Sequence, residues 1–361
     1  MSGPESGPTR PELFFEGALQ QFRDVAASPG AIVSRQILVA GRTVRIEASA
    51  RGMEQALLPA FAHLATSDEA EPDLIVHAWD SESTAAPLLK PQWGIDDYRR
   101  EGFIAGFNNK RFLTAAQFDP PIFRMVDLDQ RRALYWTPSA ARLSVWERGA
   151  PLRSLLHGWL NQIGLLAIHG GAVGFPDGGV FLAGLSGQGK SNVALSCLNS
   201  DLVYASDDFC VLSYKDQWLV HSLYCTGKMA PGDLARHPHL RGAEINPNPR
   251  DGDKMVYFLH EKFKDRLVQE IPLRAIVLPR VTAQGPSRIV PVAPALVQRV
   301  IVLSTIGLAR WTGHETFTKV VELIRDLPCY ELIVGESMAD VPAAIAQLLK
   351  DLRSTPTRAS P

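Results

Sequence analysis

Between Gly184 and Ser191 the sequence reads Gly-Leu-Ser-Gly-Gln-Gly-Lys-Ser, which satisfies G-x-x-x-x-G-K-[ST], the Walker A or P-loop spacing, at every fixed position. The chemistry such a run can do is phosphate binding. Gly184, Gly187 and Gly189 allow backbone angles closed to other residues, so successive N–H groups can turn inward onto phosphate oxygens at the positive end of a helix. Ser186, Gly187, Gln188, Gly189, Lys190, Ser191 and Asn192 are the residues placed to line that cradle. Lys190 would reach the outer phosphates of ATP, and the Ser191 hydroxyl would ligate Mg²⁺. Two further groups have types suited to the same site. Asp207 and Asp208 are adjacent carboxylates that can divide the tasks of proton acceptor and metal ligand, and the His169 imidazole can tune such a base by charge or hydrogen bond.

These residues need a frame. Val180–Ala183 is a short apolar run of the kind a buried strand shows, and Asn192–Leu198 continues as a helix, giving the order strand, glycine-rich loop, helix that a phosphate-binding loop requires. Leu202–Ala205 reads as a strand ending at the Asp pair, and carboxylates at a strand terminus belong at a nucleotide site. Leu165–Ile168 runs into His169-Gly170-Gly171, and Ala172–Gly174 returns through the turn Phe175–Gly179.

The expected domain layout is residues 1–12 and 351–361 as disordered ends, 13–150 as a small α+β unit, and 151–350 as an α/β catalytic domain. In the first unit Gln36–Ile46 alternates around Gly41 as a hairpin, Leu57, Phe61 and Leu64 keep helical spacing interrupted by Pro59, and Leu74–Trp79 is a strand. Arg124–Leu128 and Ala133–Trp136 form a second hairpin, and the stretch up to Pro121 reads as irregular. In the second, Leu152–Ile163 opens as a helix, Cys210–Tyr214 and Ala275–Leu278 are strands, and Gly227–Gly252 reads as loops over the site. Helices at 295–304, 316–325 and 341–349 surround a strand at Tyr330–Val334.

At 361 residues and 46% hydrophobic content the chain can build a sizeable core, and 37 basic against 38 acidic residues leave no field of one sign that would favour nucleic acid or anionic lipid. The four cysteines are widely spaced, with no C-x-x-C pair, and His237 and His239 flank Pro238 without partners at metal-ligand spacing. No signal peptide or membrane-length apolar run is evident, so a cytoplasmic protein without membrane or nucleic-acid partners is expected.

The pattern His-Gly, strand, G-x-S-G-x-G-K-S, helix, then a strand ending in Asp-Asp resembles the catalytic domain of HPr kinase/phosphorylase and its kinase relatives, of the phosphoenolpyruvate carboxykinase-like P-loop superfamily. The intervals agree too, fifteen positions from His169 to Gly184 and seventeen from Lys190 to Asp207. The likeness covers about Ile168 to Tyr214 and is closest in layout to the peptide serine kinases of lasso-peptide clusters. It implies a P-loop kinase domain in which Asp207 is the base that accepts the hydroxyl proton, Asp208 with Ser191 holds Mg²⁺, Lys190 contacts the phosphates, and His169 sits beside the first aspartate. Asn192 stands where HPr kinases usually carry Glu, and their glycine-rich arginine signature is absent, so neither HPr as substrate nor phosphorylase activity is implied.

The expected activity is therefore ATP- and Mg²⁺-dependent transfer to a serine hydroxyl of a peptide or protein, a precursor peptide included. A small hydroxyl acceptor such as free serine, a nucleotide-driven switch or ATPase, and a scaffold with a vestigial loop are the alternatives. Arg236, Arg241, Arg250 and Lys254 are candidates for a further cation on the phosphates, Lys254 first. The sequence leaves the acceptor and the oligomeric state open, a homo-oligomer included.

Overall fold

A computed structural model describes residues 8–354 except 69, 100, 101, 251 and 306–312. It is a mixed α/β structure with two large sheets, and it divides into two compact units, Met1–Pro59 with Ala65–Trp159, and Ala60–Leu64 with Leu160–Pro361. The disorder expected of 1–7 and 355–361 lies outside the described residues. Residues 10–12 and 351–354, by contrast, are helical.

The first unit opens with α1 (Arg10–Ala26), inside the stretch expected to be disordered. Pro11 stands in its first turn and Glu12 Oε2 accepts from the Thr9 N–H at 3.4 Å, a start signal written in a Pro- and Gly-rich context. Phe14, Phe15, Ala18, Leu19 and Phe22 then recur every three or four residues and are buried with Trp79, Phe107 and Phe123. That stripe covers a seven-stranded sheet made of β1 (Ile32–Val39), β2 (Arg42–Ser49), β3 (Ala65–Thr66), β4 (Leu74–Asp80), β5 (Phe112–Phe118), β6 (Pro121–Asp127) and β7 (Arg132–Thr137), in the order β3-β1-β2-β4-β7-β6-β5. Both expected hairpins are present. The first turns through Ala40 and Gly41, both at positive φ, as a two-residue connection requires. The hairpins are joined by parallel pairing of β2 with β4 and of β4 with β7, so the unit is a mixed sheet rather than a set of hairpins. β5 lies in the stretch read as irregular.

α2 (Arg153–Gln162) runs across the division at Trp159/Leu160, and the second unit continues with β8 (Leu166–His169), β9 (Gly171–Phe175), β10 (Gly178–Leu182) and α3 (Lys190–Cys197). There follow β11 (Val203–Ser206), β12 (Phe209–Tyr214), β13 (Trp218–Ser222), β14 (Thr226–Met229), β15 (Met255–Phe258), β16 (Glu270–Val281), β17 (Arg288–Pro291), α4 (Pro294–Thr305), α5 (Gly313–Asp326), β18 (Cys329–Val334) and α6 (Asp340–Ser354). The nine-stranded sheet runs β11-β9-β10-β16-β13-β12-β8, with β18 on β16 and β17 on β18. The twelve-residue β16 is its hub. Its start pairs with β13, its middle runs parallel to β10, and its end runs parallel to β18. A bulge at Arg274, between the pairs Gly179↔Leu273 and Val180↔Ala275, turns the strand over: Ile271 and Leu273 face one core and Ala275 and Val277 the other. One core packs α3 and α6 on the sheet and the other packs α4 and α5. β14, in the stretch read as loops, pairs with β15, which lies just beyond that stretch, as a separate two-stranded sheet.

Candidate active site

The sheet order gathers the chemistry at one edge. β9 is antiparallel to both β10 and β11, so those two strands run parallel on either side of it and their C-terminal ends emerge together, beside the start of β9. From β10 the chain enters the Gly184–Ser191 loop, and from β11 it reaches Asp207 and Asp208. Two crossing segments, His169–Gly171 and Ser206–Phe209, lie side by side, with the Gly170 N–H donating to Asp208 O at 2.9 Å and Phe209 opposite His169 in the β8/β12 register. This is why His169 is followed by two glycines. A Cβ on Gly170 would stand 2.3 Å from the Phe181 ring, and one on Gly171 would stand 2.9 Å from Ser206 O.

The loop is closed on itself by side chains. Lys190 Nζ donates to Gly184 O at 2.7 Å and to Leu185 O at 3.1 Å, and the Leu185 N–H donates to Gln188 Oε1 at 2.7 Å. Gly187 and Gly189 take φ of 84° and 91°, which a side chain resists, and Ser186, Gly187 and Gln188 are exposed at the tip. Gly189 caps α3, whose first N–H groups have no partner within the helix and open toward the loop. Asn192 Nδ2, one turn in, donates to Asp233 Oδ2 at 2.9 Å. Lys190 is 5% exposed, and burial pulls its ammonium down to about 8, with Lys254 pulling the same way and the charges of Asp208 and Asp207 opposing.

The two aspartates, adjacent in sequence, have different surroundings. Asp207 is 3% exposed; its Oδ2 accepts the Lys228 N–H at 2.9 Å, and its Oδ1 lies 3.2 Å from the Tyr204 hydroxyl, which is also 2.8 Å from Thr226 O. Burial and the neighbouring Asp208 raise its pKa, partly offset by Lys228 and by a hydrogen bond with Ser191. Asp208 Oδ1 is 2.9 Å from His169 Nε2, and its Oδ2 accepts from Lys228 Nζ at 2.8 Å. Burial alone would raise this carboxyl, but Lys228 and His169 outweigh it and hold Asp208 well below the usual carboxylate range. One member of the pair is thus held as an anion while the other is pushed toward taking a proton.

His169, Lys190, Ser191, Asp207 and Asp208 are therefore brought together. The pairing within the set differs from what the resemblance implies: His169 meets Asp208, not Asp207, because the β8/β12 register sets it beside Phe209 while Asp207 turns inward to Tyr204 and β14. Of the four candidate cations, Lys254 repels Lys190, Arg236 lies 3.9 Å from Asp233, and Arg241 and Arg250 are exposed. His239 Nε2 is 2.9 Å from Leu195 O on α3, and His237 is fully buried. Lys228 and Tyr204 were missed by the sequence reading. The one available signal for Lys228 was a lysine following Gly227 in the four-residue run Thr226–Met229, too short and too polar to be read as a strand.

Among the described residues no cluster of three or more His, Cys, Asp or Glu side chains could hold a metal, and no helix is long and apolar enough to cross a membrane. No protein-family model matches the chain, and no curated protein matches it. Among solved structures the chain is similar to the HPr(Ser) kinase/phosphatase of Coxiella burnetii, at 12% identity, over 52% of this chain and 96% of that one, with a TM-score of 0.27.

Proposed function

We propose that this chain is a phosphotransferase that uses ATP and Mg²⁺ to phosphorylate a hydroxyl, that of a serine in a peptide or protein. The observation that carries the reading is the meeting of a phosphate-type loop with an asymmetric carboxylate pair: the Gly184–Ser191 loop leaves β10 and Asp207-Asp208 leave β11 at the same end of the strands, on either side of β9. In this reading Lys190 and the N–H groups opening α3 bind phosphate oxygens. Ser191 and Asp208 are oxygen donors, one of them held as an anion, and suit a hard divalent cation that takes its remaining ligands from phosphates and water. Mg²⁺ bound there would neutralise phosphate charge. Asp207, with its raised pKa, accepts the proton of the acceptor hydroxyl, while Lys228 and His169 keep Asp208 ionised beside it. The serine acceptor rests on the sequence resemblance.

The test is transfer of labelled γ-phosphate by the full chain to serine-containing peptides encoded by neighbouring genes, with free serine in a parallel arm. Label in a peptide serine is the expected result. Label in free serine alone would replace the acceptor, and release of inorganic phosphate alone, with every acceptor present, would replace the kinase by an ATPase.

A further inference from the structure

Lys228 lies in β14, whose four residues are all buried, and is itself 6% exposed. It touches both aspartates by different atoms. Its backbone N–H donates to Asp207 Oδ2 at 2.9 Å and its Nζ donates to Asp208 Oδ2 at 2.8 Å, while the ammonium also stands 5.3 Å from the centre of the Phe209 ring. That ring in turn lies 5.4 Å from the imidazole of His169, which holds the other Asp208 oxygen. Each Asp208 oxygen therefore has one fixed donor and keeps a second lone pair. Two donors on opposite oxygens set both the plane and the tilt of a carboxylate; one donor would leave it free to rotate. Gly227 lets β14 come this close, since a Cβ there would lie 2.5 Å from Leu195 Cδ2 on α3, the helix that carries Lys190 and Ser191.

We infer that Lys228 is a positioning residue of the phosphoryl-transfer site, which clamps Asp208 against His169 through its ammonium and fixes Asp207 through its backbone, so that the two carboxylates present to different reactants. The inference rests on the phosphotransferase reading. A buried ion pair that served folding alone would have no reason to bridge two acids with separate tasks, and such pairs often contribute little net stability. Because the contact to Asp207 is made by the main chain, a side-chain substitution removes the hydrogen bond to Asp208 and leaves the one to Asp207 in place.

The experiment compares Lys228→Met and Lys228→Arg with the wild type by steady-state phosphoryl transfer, and by the side-chain ¹⁵N resonances of His169, which report its hydrogen bond to Asp208 whether or not turnover occurs. Lys228→Met is expected to lower kcat by about 10- to 100-fold with the nucleotide KM within about threefold, and to shift the His169 resonances; Lys228→Arg should recover a substantial part of both. Wild-type kcat in Lys228→Met overturns the inference, as does a loss that arginine does not relieve while the His169 resonances stay unmoved. If the wild type transfers no phosphate, the phosphotransferase reading fails and the resonances decide the clamp alone: a shift restored by arginine upholds it, and no shift refutes it. If Lys228→Met does not fold, Lys228→Gln is read in the same way.

Discussion

Gly171 gives the sharpest handle on whether the placement of Asp207 matters. It is the first residue of β9, wedged between Leu182 of β10 and the turn that follows β11, and a Cβ built on it would lie 2.9 Å from Ser206 O and 3.1 Å from Asp207 Cα. Ordinary contacts between such atoms begin at about 3.5 Å, so Gly171→Ala must push the Asp207 backbone away by about 0.5 Å. A displacement of 1 Å in a reacting group is worth up to about 100-fold in rate, so half of that is worth about 10-fold. The loss should fall on kcat and leave the nucleotide KM within about twofold, because the added methyl points toward Asp207 and not toward the Gly184–Ser191 loop. Steady-state transfer at varied ATP, with a thermal melt beside it, reads this. Gly170→Ala is the contrast: its methyl would meet the fully buried Phe181 ring at 2.3 Å, an overpacking expected to destabilise by about 1–3 kcal/mol and to appear in the melt. Wild-type kcat in a folded Gly171→Ala protein would refute the reasoning. So would a parallel loss of nucleotide binding, which would move Asp207 to the nucleotide side.

Lys190→Met should weaken nucleotide binding on the order of 100-fold by calorimetry. In the wild type the affinity should itself decline above pH 8, because burial holds the free ammonium at about 8 and the cation is lost as pH rises through that value; the variant should lack this dependence. Asp208→Asn should raise the Mg²⁺ concentration needed for half-maximal turnover, and an unchanged titration would assign the metal to another group. His237 is fully buried with neither ring nitrogen hydrogen-bonded, beside His239, Asp233 and Arg236, and burial holds its pKa at about 4 against 6.5. The fold keeps it neutral, so its share of stability is present above pH 6.5 and is lost as pH falls toward 4, by up to about 3 kcal/mol. His237→Leu should flatten denaturant-measured stability against pH in that window, and an unaltered slope would contradict it.

The second unit was more legible than the first, for physical reasons. Its strands carry short apolar runs and its helices apolar stripes, so β10, β11 and β18 and α4 to α6 stand where periodicity puts them, while only Ala275–Leu278 of the twelve-residue β16 carries the signal. The pairing between strands leaves no such mark. That β9 lies between β10 and β11 is decided by long-range contacts, and the register that sets His169 beside Asp208 depends on β8 pairing with β12, forty residues later. In the first unit α1 was hidden behind Pro, Gly and Ser in the preceding residues, although Phe14, Phe15, Ala18, Leu19 and Phe22 carry the helical period. β5 was hidden because its flanks, Asn108-Asn109 and Asp119-Pro120, continue the loop-rich composition on both sides of a short run. Lys228 and Tyr204 were illegible because their importance lies in what they touch: a lysine beside glycine and a tyrosine in a strand are common, and the carboxylates that they meet are 20 and 3 positions away.

Asp207→Asn tests the central claim most directly, because it keeps the shape of the side chain while removing its capacity to take a proton. Mg-ATP affinity of the variant, measured by calorimetry, is expected to stay within about threefold of wild type, since Lys190, Ser191 and Asp208 keep their own side chains and an asparagine oxygen can still accept from Ser191. Transfer of labelled γ-phosphate to the peptide acceptor is expected to fall by at least about 100-fold, on the scale of general-base catalysis. Transfer at the wild-type rate would contradict the assignment of Asp207 as the proton acceptor, and with it the division of labour between the two aspartates.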